Sequence, residues 1–293
     1  MEQKNTVGHV CALVTILIWG TTFISTKVLL VDFAPVEILF YRFALGLVAL
    51  FFACPRRLKL TDHRQEFTFA LAGLCGICLY SLLENIALTY TLASNVGVIC
   101  SIAPFFTALF THLFMKGEEK LSRNFFLGFL VAMGGIVLIS FNGSRLQLNP
   151  LGDLLALVAA LIWGCYAVLS RKISGYGYNT IQATRRIFLY GIAFMIPALF
   201  LFGFRPGVER LGNPVYLANL LFLGLGASAT CFVTWNFAVK VLGAVKTSVY
   251  IYIVPVVTMA TSALILHEPI TPLSAVGMAL TLAGLFLSER KAK

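Results

Sequence analysis

Charge is scarce in this sequence. Only 12% of its 293 residues are Asp, Glu, Lys or Arg, against about 25% in soluble domains. The hydrophobic fraction is 59% and the mean hydropathy +0.90. A water-soluble core cannot absorb that excess, because most of the surface would still be apolar. Long polar segments are also missing. The longest are "PRRLKLTDHRQE" (55–66), "KGEEKLSRN" (116–124) and "FRPGVERLGNP" (204–214). None is long enough for a separate soluble domain, which disfavours ATP-driven transport for want of a nucleotide domain.

Catalytic punctuation is absent too. There is no H-E-x-x-H, G-x-S-x-G or Walker A pattern. "GLGASA" (224–229) fits G-x-G-x-x-A, but it lies in an apolar run with no preceding strand. The seven cysteines all sit in or beside apolar runs. Cys75 and Cys78 make a lone C-x-x-C inside one of them, which reads as small packing residues rather than a metal site. No metal, cofactor or enzymatic activity is expected. The net charge of +10 does not mark nucleic-acid binding either, because the positive residues fall mostly in short loops between apolar runs.

What the sequence does have is hydrophobic runs of membrane-crossing length, ~20 residues. They are too continuous for the alternating strands of an outer-membrane barrel. Ten spans are expected, near 8–30, 35–54, 67–89, 94–115, 125–141, 151–171, 180–203, 215–239, 245–266 and 273–288. The first is too long for a signal peptide and lacks a small-residue cleavage site, so it reads as a retained span. The expected class is an all-α integral membrane protein in contact with the phospholipid bilayer. Lys and Arg alternate in density between successive loops. Lys4, Arg56, Arg57, Lys59 and Arg64 lie on one side with Lys116, Lys120, Arg123, Arg171, Lys172, Lys240, Lys246, Arg290, Lys291 and Lys293. Arg145, Arg205 and Arg210 lie on the other. That asymmetry places both termini in the cytoplasm.

The chain also repeats itself. "LIWG" occurs at 17–20 and 161–164. The same offset of 144 carries Lys27 onto Arg171 and Arg42 onto Arg186. An offset of 151 carries "NIA" (85–87) onto "NFA" (236–238) and Pro104 onto Pro255. An offset of 149 carries Gly128 onto Gly277 and Gly135 onto Gly284. Two halves of five spans, 1–144 and 145–293, follow. Five is odd, so the second half crosses in the opposite sense: an inverted-topology repeat, the construction of secondary transporters.

With "LIWG" near the start of each half, N-x-A in the third and eighth spans, and "SNVGVICSIAPFFTALF" (94–110) echoed by "VKTSVYIYIVPVVTMAT" (245–261), each followed by Glu118 or Glu268, the sequence resembles the EamA-type family of the drug/metabolite transporter superfamily. The resemblance spans nearly the whole chain. It implies export or exchange of small polar metabolites, amino acids or amphipathic drugs, often across a bacterial inner membrane, with no fixed substrate.

Candidate pathway residues form a polar-aromatic stripe. Thr15, Trp19, Thr22 and Thr26 share a helix face, as do Trp163, Tyr166 and Ser170. A wet cavity between the halves and plain interhelical packing both fit the stripe. Tyr80, Asn85, Asn236, Tyr250 and Tyr252 add hydrogen-bonding groups, and Pro104 and Pro255 are expected to kink their spans. Lys27, Arg42 and Glu84 are expected at similar depth. A buried charge needs a partner, so Glu84 is expected to pair with Arg42 or Lys27, as a gate, a proton-coupling site or a static ion pair. Arg171 and Arg186 match Lys27 and Arg42, but Glu84 is matched by Trp235. The second cluster therefore lacks a carboxylate and is left to lipid headgroups or an anionic substrate group. The expected partner is a small molecule. Proton coupling, uniport and exchange remain alternatives, as do monomer and homodimer. A non-transporting membrane subunit of a lipid-modifying or assembly complex is the other functional reading.

Overall fold

The computed structural model describes residues 2–91, 93–115, 122–140, 149–265 and 271–289. Glu118, Glu268, Arg145 and the expected boundary at 144/145 lie outside the described residues, as do Lys116, Lys120 and residues 290–293. Among the described residues the fold is entirely helical, without strands.

The helical rods are α1 (Glu2–Leu29), α2 (Pro35–Ala53), α3 (Arg64–Tyr90), α4 (Ala93–Cys100 and Ala103–Phe114) and α5 (Arg123–Ser140). They continue as α6 (Pro150–Ser174), α7 (Thr180–Leu201), α8 (Pro214–Leu242), α9 (Ala244–Ile265) and α10 (Pro272–Glu289). Among the described residues eight helices are long and apolar enough to cross a membrane. α5 and α10 hold shorter apolar stretches, Arg123–Leu138 and Ala275–Ser288. Phe52 and Phe200 are 84% and 83% exposed, and Leu130 is 65% exposed. Side chains of this kind cover an outer surface that only hydrocarbon solvates well. The protein is an integral membrane protein.

Local sequence fixes the helix starts. Asn149, Asn179 and Asn213 each accept hydrogen bonds from backbone N–H groups in the first turn of α6, α7 and α8, and a proline follows two of them. Glu37 accepts the Ala34 N–H at 2.9 Å and so closes the start of α2. Pro104 opens the second part of α4 after a break at Ser101–Ile102. Pro255 follows the 3-10 turn Tyr250–Ile253 in α9. Both prolines therefore sit at irregularities, as expected of a missing N–H. α3 and α8 each contain a π-helical stretch, Gly73–Leu79 and Phe222–Thr230.

Matched helices run in opposite directions. The two ends of the bundle are conveniently named for Asp32 and Arg56. α1 ends at the Asp32 end, whereas α6 begins there: Gly152 lies against Tyr90 and Thr91. α6 leads to the Arg56 end, where the Tyr178 hydroxyl meets Thr61. α3 reaches the Asp32 end at Tyr90, whereas α8 begins there, with Tyr216 bonded to Asp32. α5 crosses α10 antiparallel. Gly128 faces Gly284 and Ser288, and Gly135 faces Gly277 and Thr281, so closely that a Cβ on Gly128, Gly135 or Gly284 would meet backbone of the other helix. Under the sequence offset Gly128 matches Gly277 and Gly135 matches Gly284. Each glycine therefore touches the counterpart of the other.

Candidate functional site

The main cavity is built where α1, α2, α3, α4, α6, α8 and α9 converge, in the half of the bundle nearer the Asp32 end. Its empty space is about 620 Å³ including the open mouth. Trp19, Trp163, Tyr80 and Phe232 form its aromatic wall. The Trp19 and Trp163 rings meet edge-on at 5.2 Å, and Tyr80 lies 4.8 Å from Trp163. Thr22, Ser81 and Cys100 add small polar groups.

Two opposite charges sit in this wall. Arg42 and Glu84 are only 6% and 8% exposed, and both line the cavity. They do not form the expected direct ion pair. Glu84 accepts a hydrogen bond from Tyr80 at 3.2 Å, one helical turn earlier. Arg42 donates from Nε to Ser228 at 3.0 Å and lies 5.1 Å from the Phe43 ring centre. Lys27 does not reach Glu84 either. Its Nζ donates to the Leu88 and Thr91 carbonyls at 2.5 and 3.1 Å, at the C-terminal end of α3. Carbonyls left open at a helix end attract cations, and here that attraction prevails over the carboxylate.

The second basic cluster is corrected in the same way. Arg171 donates to the Val239 and Lys240 carbonyls at 3.2 and 3.1 Å. Arg186 has a carboxylate after all: it pairs with Glu66, which also accepts from Tyr190 at 2.5 Å, and it donates to the Leu58 carbonyl at 3.1 Å. Arg185 binds the Cys54 and Arg56 carbonyls. Arg185 and Arg186 fasten α7 to the loop between α2 and α3 and to the first turn of α3. At the Asp32 end α2 is fastened reciprocally to the loop before α8. Arg210 grips Glu37 with two hydrogen bonds, at 2.9 and 3.2 Å, and Glu37 also accepts the Arg205 N–H at 3.0 Å. Arg210, outside the spans, is held above its ordinary value chiefly by its hydrogen bond to Glu37.

The other expected pathway residues divide. Tyr166 leaves the cavity wall and points its hydroxyl at Asn236 Oδ1, 2.8 Å away. Ser170 donates to the same oxygen at 2.7 Å, and Asn236 donates onward to Thr184 at 3.0 Å. Asn236 and Ser170 also line a smaller pocket toward the Arg56 end, with Tyr178 and Lys240. Asn85 donates to the Pro35 carbonyl at 3.2 Å and holds α2 to α3. Tyr250 is hydrogen-bonded to His9 at 2.6 Å, nearer the Arg56 end. Tyr252 is fully buried in the cluster around α4, α5 and α10, away from the cavity. Trp235 packs 5.1 Å from Trp19 behind the wall. The expectations passed over Phe232, Ser228, Glu66, Glu37 and Arg210. The last three carried a sequence signal, since carboxylates near span ends in so acid-poor a chain need cations.

Comparison with known proteins gives a consistent picture. The family model described as "EamA-like transporter family" matches twice, over residues 6–141 and 150–290. An "Uncharacterized transporter" of Archaeoglobus fulgidus is 29% identical over 98% of this chain and 99% of its own. A "Probable terminal-alkyne amino-acid exporter" of Streptantibioticus cattleyicolor is 28% identical over 94% of this chain and 91% of its own. A solved crystal structure superposes with a TM-score of 0.74 over 99% of this chain and 97% of that one, at 22% identity. That likeness concerns the fold alone.

Proposed function

The chain belongs to the EamA-like transporter family, and from that premise we propose that it carries small amphipathic metabolites of the amino-acid type across the membrane by alternating access, in the direction of export. The observation that carries this reading is the pair Arg42 and Glu84, two buried opposite charges that share one aromatic-walled cavity without neutralising each other by contact. Such a pair is poised for the carboxylate and amino group of a zwitterion, with the indole and phenol rings packing the apolar part. Unpaired buried charge is costly, and a ligand that pairs both groups recovers that cost on binding. The exporter similar at 28% identity is named for an amino-acid substrate, which favours the same class.

Ten crossings in two inverted halves complete the proposal. It is supported by the opposed directions of α1 and α6 and of α3 and α8, by the self-complementary glycine contact of α5 and α10, and by the double match of the family model. The Arg56 end is assigned to the cytoplasm with both termini, in a bacterial inner membrane, and the cavity to the outer half. Closure at the Arg56 end is supplied by the Arg186–Glu66 pair and the Tyr166–Asn236 bond.

Purified protein reconstituted alone into liposomes tests this. Counterflow of at least one apolar or aromatic amino acid, lost in Arg42→Gln, is expected. No counterflow across a panel of amino acids, nucleosides and amphipathic drugs defeats the carrier reading. Labelling of residues 56–64 and 290–293 from opposite faces of the membrane defeats the topology.

A further inference from the structure

The two halves treat one pair of matched tryptophans differently. Trp19 and Trp163 correspond under the offset of 144. Trp19 donates its indole N–H to the Ala227 carbonyl at 2.9 Å. That carbonyl lies in the π-helical stretch Phe222–Thr230 of the opposite half. π-turns loosen the regular ladder and recur at functional sites. Trp163, buried at 3% exposure in the cavity wall, has no hydrogen-bond partner for its own indole N–H.

The matching acceptor for Trp163 exists. The offset of 151 carries Gly76 onto Ala227, and Gly76 lies in the other π-helical stretch, Gly73–Leu79. In this conformation the place over Gly76 is taken by the Tyr166 ring. A Cβ on Gly76 would run into that ring, and the Tyr166 hydroxyl is tied to Asn236 at 2.8 Å. Tyr166 follows Trp163 by three residues on α6, so the two side chains occupy neighbouring positions on one helix face.

We infer that Trp19 and Trp163 are reciprocal latches, so that in the conformation open at the Arg56 end the Trp163 indole N–H donates to the Gly76 carbonyl and Trp19 releases Ala227. The inference rests on the inverted-repeat reading above. In an inverted repeat the two end states exchange the conformations of the halves, so a contact made once between halves in one state is remade by its counterparts in the other. Each state then satisfies one buried indole and strands the other. A stranded buried donor is unfavourable, and exchanging one for another leaves the two states close in free energy, as a carrier requires. The release of Tyr166 from Asn236 uncovers Gly76 and joins the cavity to the smaller pocket lined by Asn236 and Ser170.

Cys100 lines the cavity and gives a readout that needs no substrate. Its modification by a membrane-impermeant thiol reagent is followed by peptide mass spectrometry in Trp19→Phe, Trp163→Phe and the double variant. Phe keeps a ring and removes the N–H. Trp163→Phe deletes the latch of the alternative state and should speed Cys100 labelling, whereas Trp19→Phe should slow it. One net hydrogen bond shifts the equilibrium constant about fivefold, so from states of near-equal population labelling should rise just under twofold in Trp163→Phe and fall about threefold in Trp19→Phe. The double variant should label at close to the wild-type rate. Slowing by both single variants, or no change in either, overturns the inference. If Trp19→Phe does not fold, Trp163→Phe alone decides, since unchanged or slower labelling refutes the latch. Absence of counterflow with opposed labelling shifts would instead defeat the carrier reading while leaving the latch.

Discussion

Lys27 and Arg171 perform the same task at opposite ends of the molecule. Lys27 closes α1 onto the Leu88 carbonyl at the end of α3, and Arg171 closes α6 onto the Val239 carbonyl at the end of α8. The basic residues match under the offset of 144 and the carbonyls under 151. A cation over a helix C-terminus satisfies orphan carbonyls and opposes the negative end of the dipole. In a low-dielectric surround that task fixes both side chains, and neither is left to the cavity.

Lys27→Met and Arg171→Met should therefore cost similar stability, about 1 kcal/mol each, without altering substrate selectivity. Thermal unfolding in detergent and counterflow selectivity check this. A change of selectivity in Lys27→Met would return Lys27 to the pathway.

Glu66 and Arg186 should behave as a coupled pair. Their side chains are 32% and 24% exposed, so screening weakens but does not remove the interaction. Glu66→Gln or Arg186→Gln should each cost about 1–2 kcal/mol, and the double variant should cost less than their sum. A double-mutant cycle on unfolding midpoints measures the coupling. Strict additivity would mean that the two side chains act independently.

Glu84→Gln keeps the shape and the hydrogen bond to Tyr80 but removes the negative charge from the cavity. If Glu84 carries the coupling proton, uptake driven by a pH gradient in proteoliposomes is abolished while substrate counterflow persists. Loss of counterflow together with gradient-driven uptake assigns Glu84 to substrate binding, and wild-type levels of both leave it a structural role.

Gly284→Ala and Gly134→Ala should differ sharply. A Cβ at Gly284 meets the Ala132 backbone nitrogen and the Gly128 carbonyl oxygen, whereas at Gly134 nothing lies within 4 Å. The first should cost about 1–3 kcal/mol through forced separation of α5 and α10. The second should be neutral or slightly stabilising, because alanine favours helix. Melting temperatures of the two variants settle the comparison.

Much of the architecture is legible in a line of residues because lipid imposes it. Apolar runs must close their own backbone hydrogen bonds, so they become helices whatever they pack against. The Asn and Pro residues at 149–150 and 213–214 mark starts that backbone geometry alone demands. Tyr80 and Glu84 share a face because helical periodicity puts residues four apart together, and the structure bonds them. α5 and α10 are legible as apolar runs near 125–141 and 273–288, but the glycine crossing that joins them is not, because periodicity does not say which helix a face meets.

Pairing was not legible. Helical periodicity states which residues share a face, but not which face meets which helix. Glu84 had two basic candidates in sequence and bonds neither directly, because helix-end carbonyls claim Lys27 and Ser228 engages Arg42. Arg186 found Glu66, 120 residues away. The sequence by itself determined that the chain lives in lipid and where its helices run. Tertiary packing alone decided which charges meet, which remain apart in the cavity, and that Trp19 is satisfied where Trp163 is not. Those outcomes depend on distances of a few ångströms between segments remote in the chain, and local propensity carries no record of them.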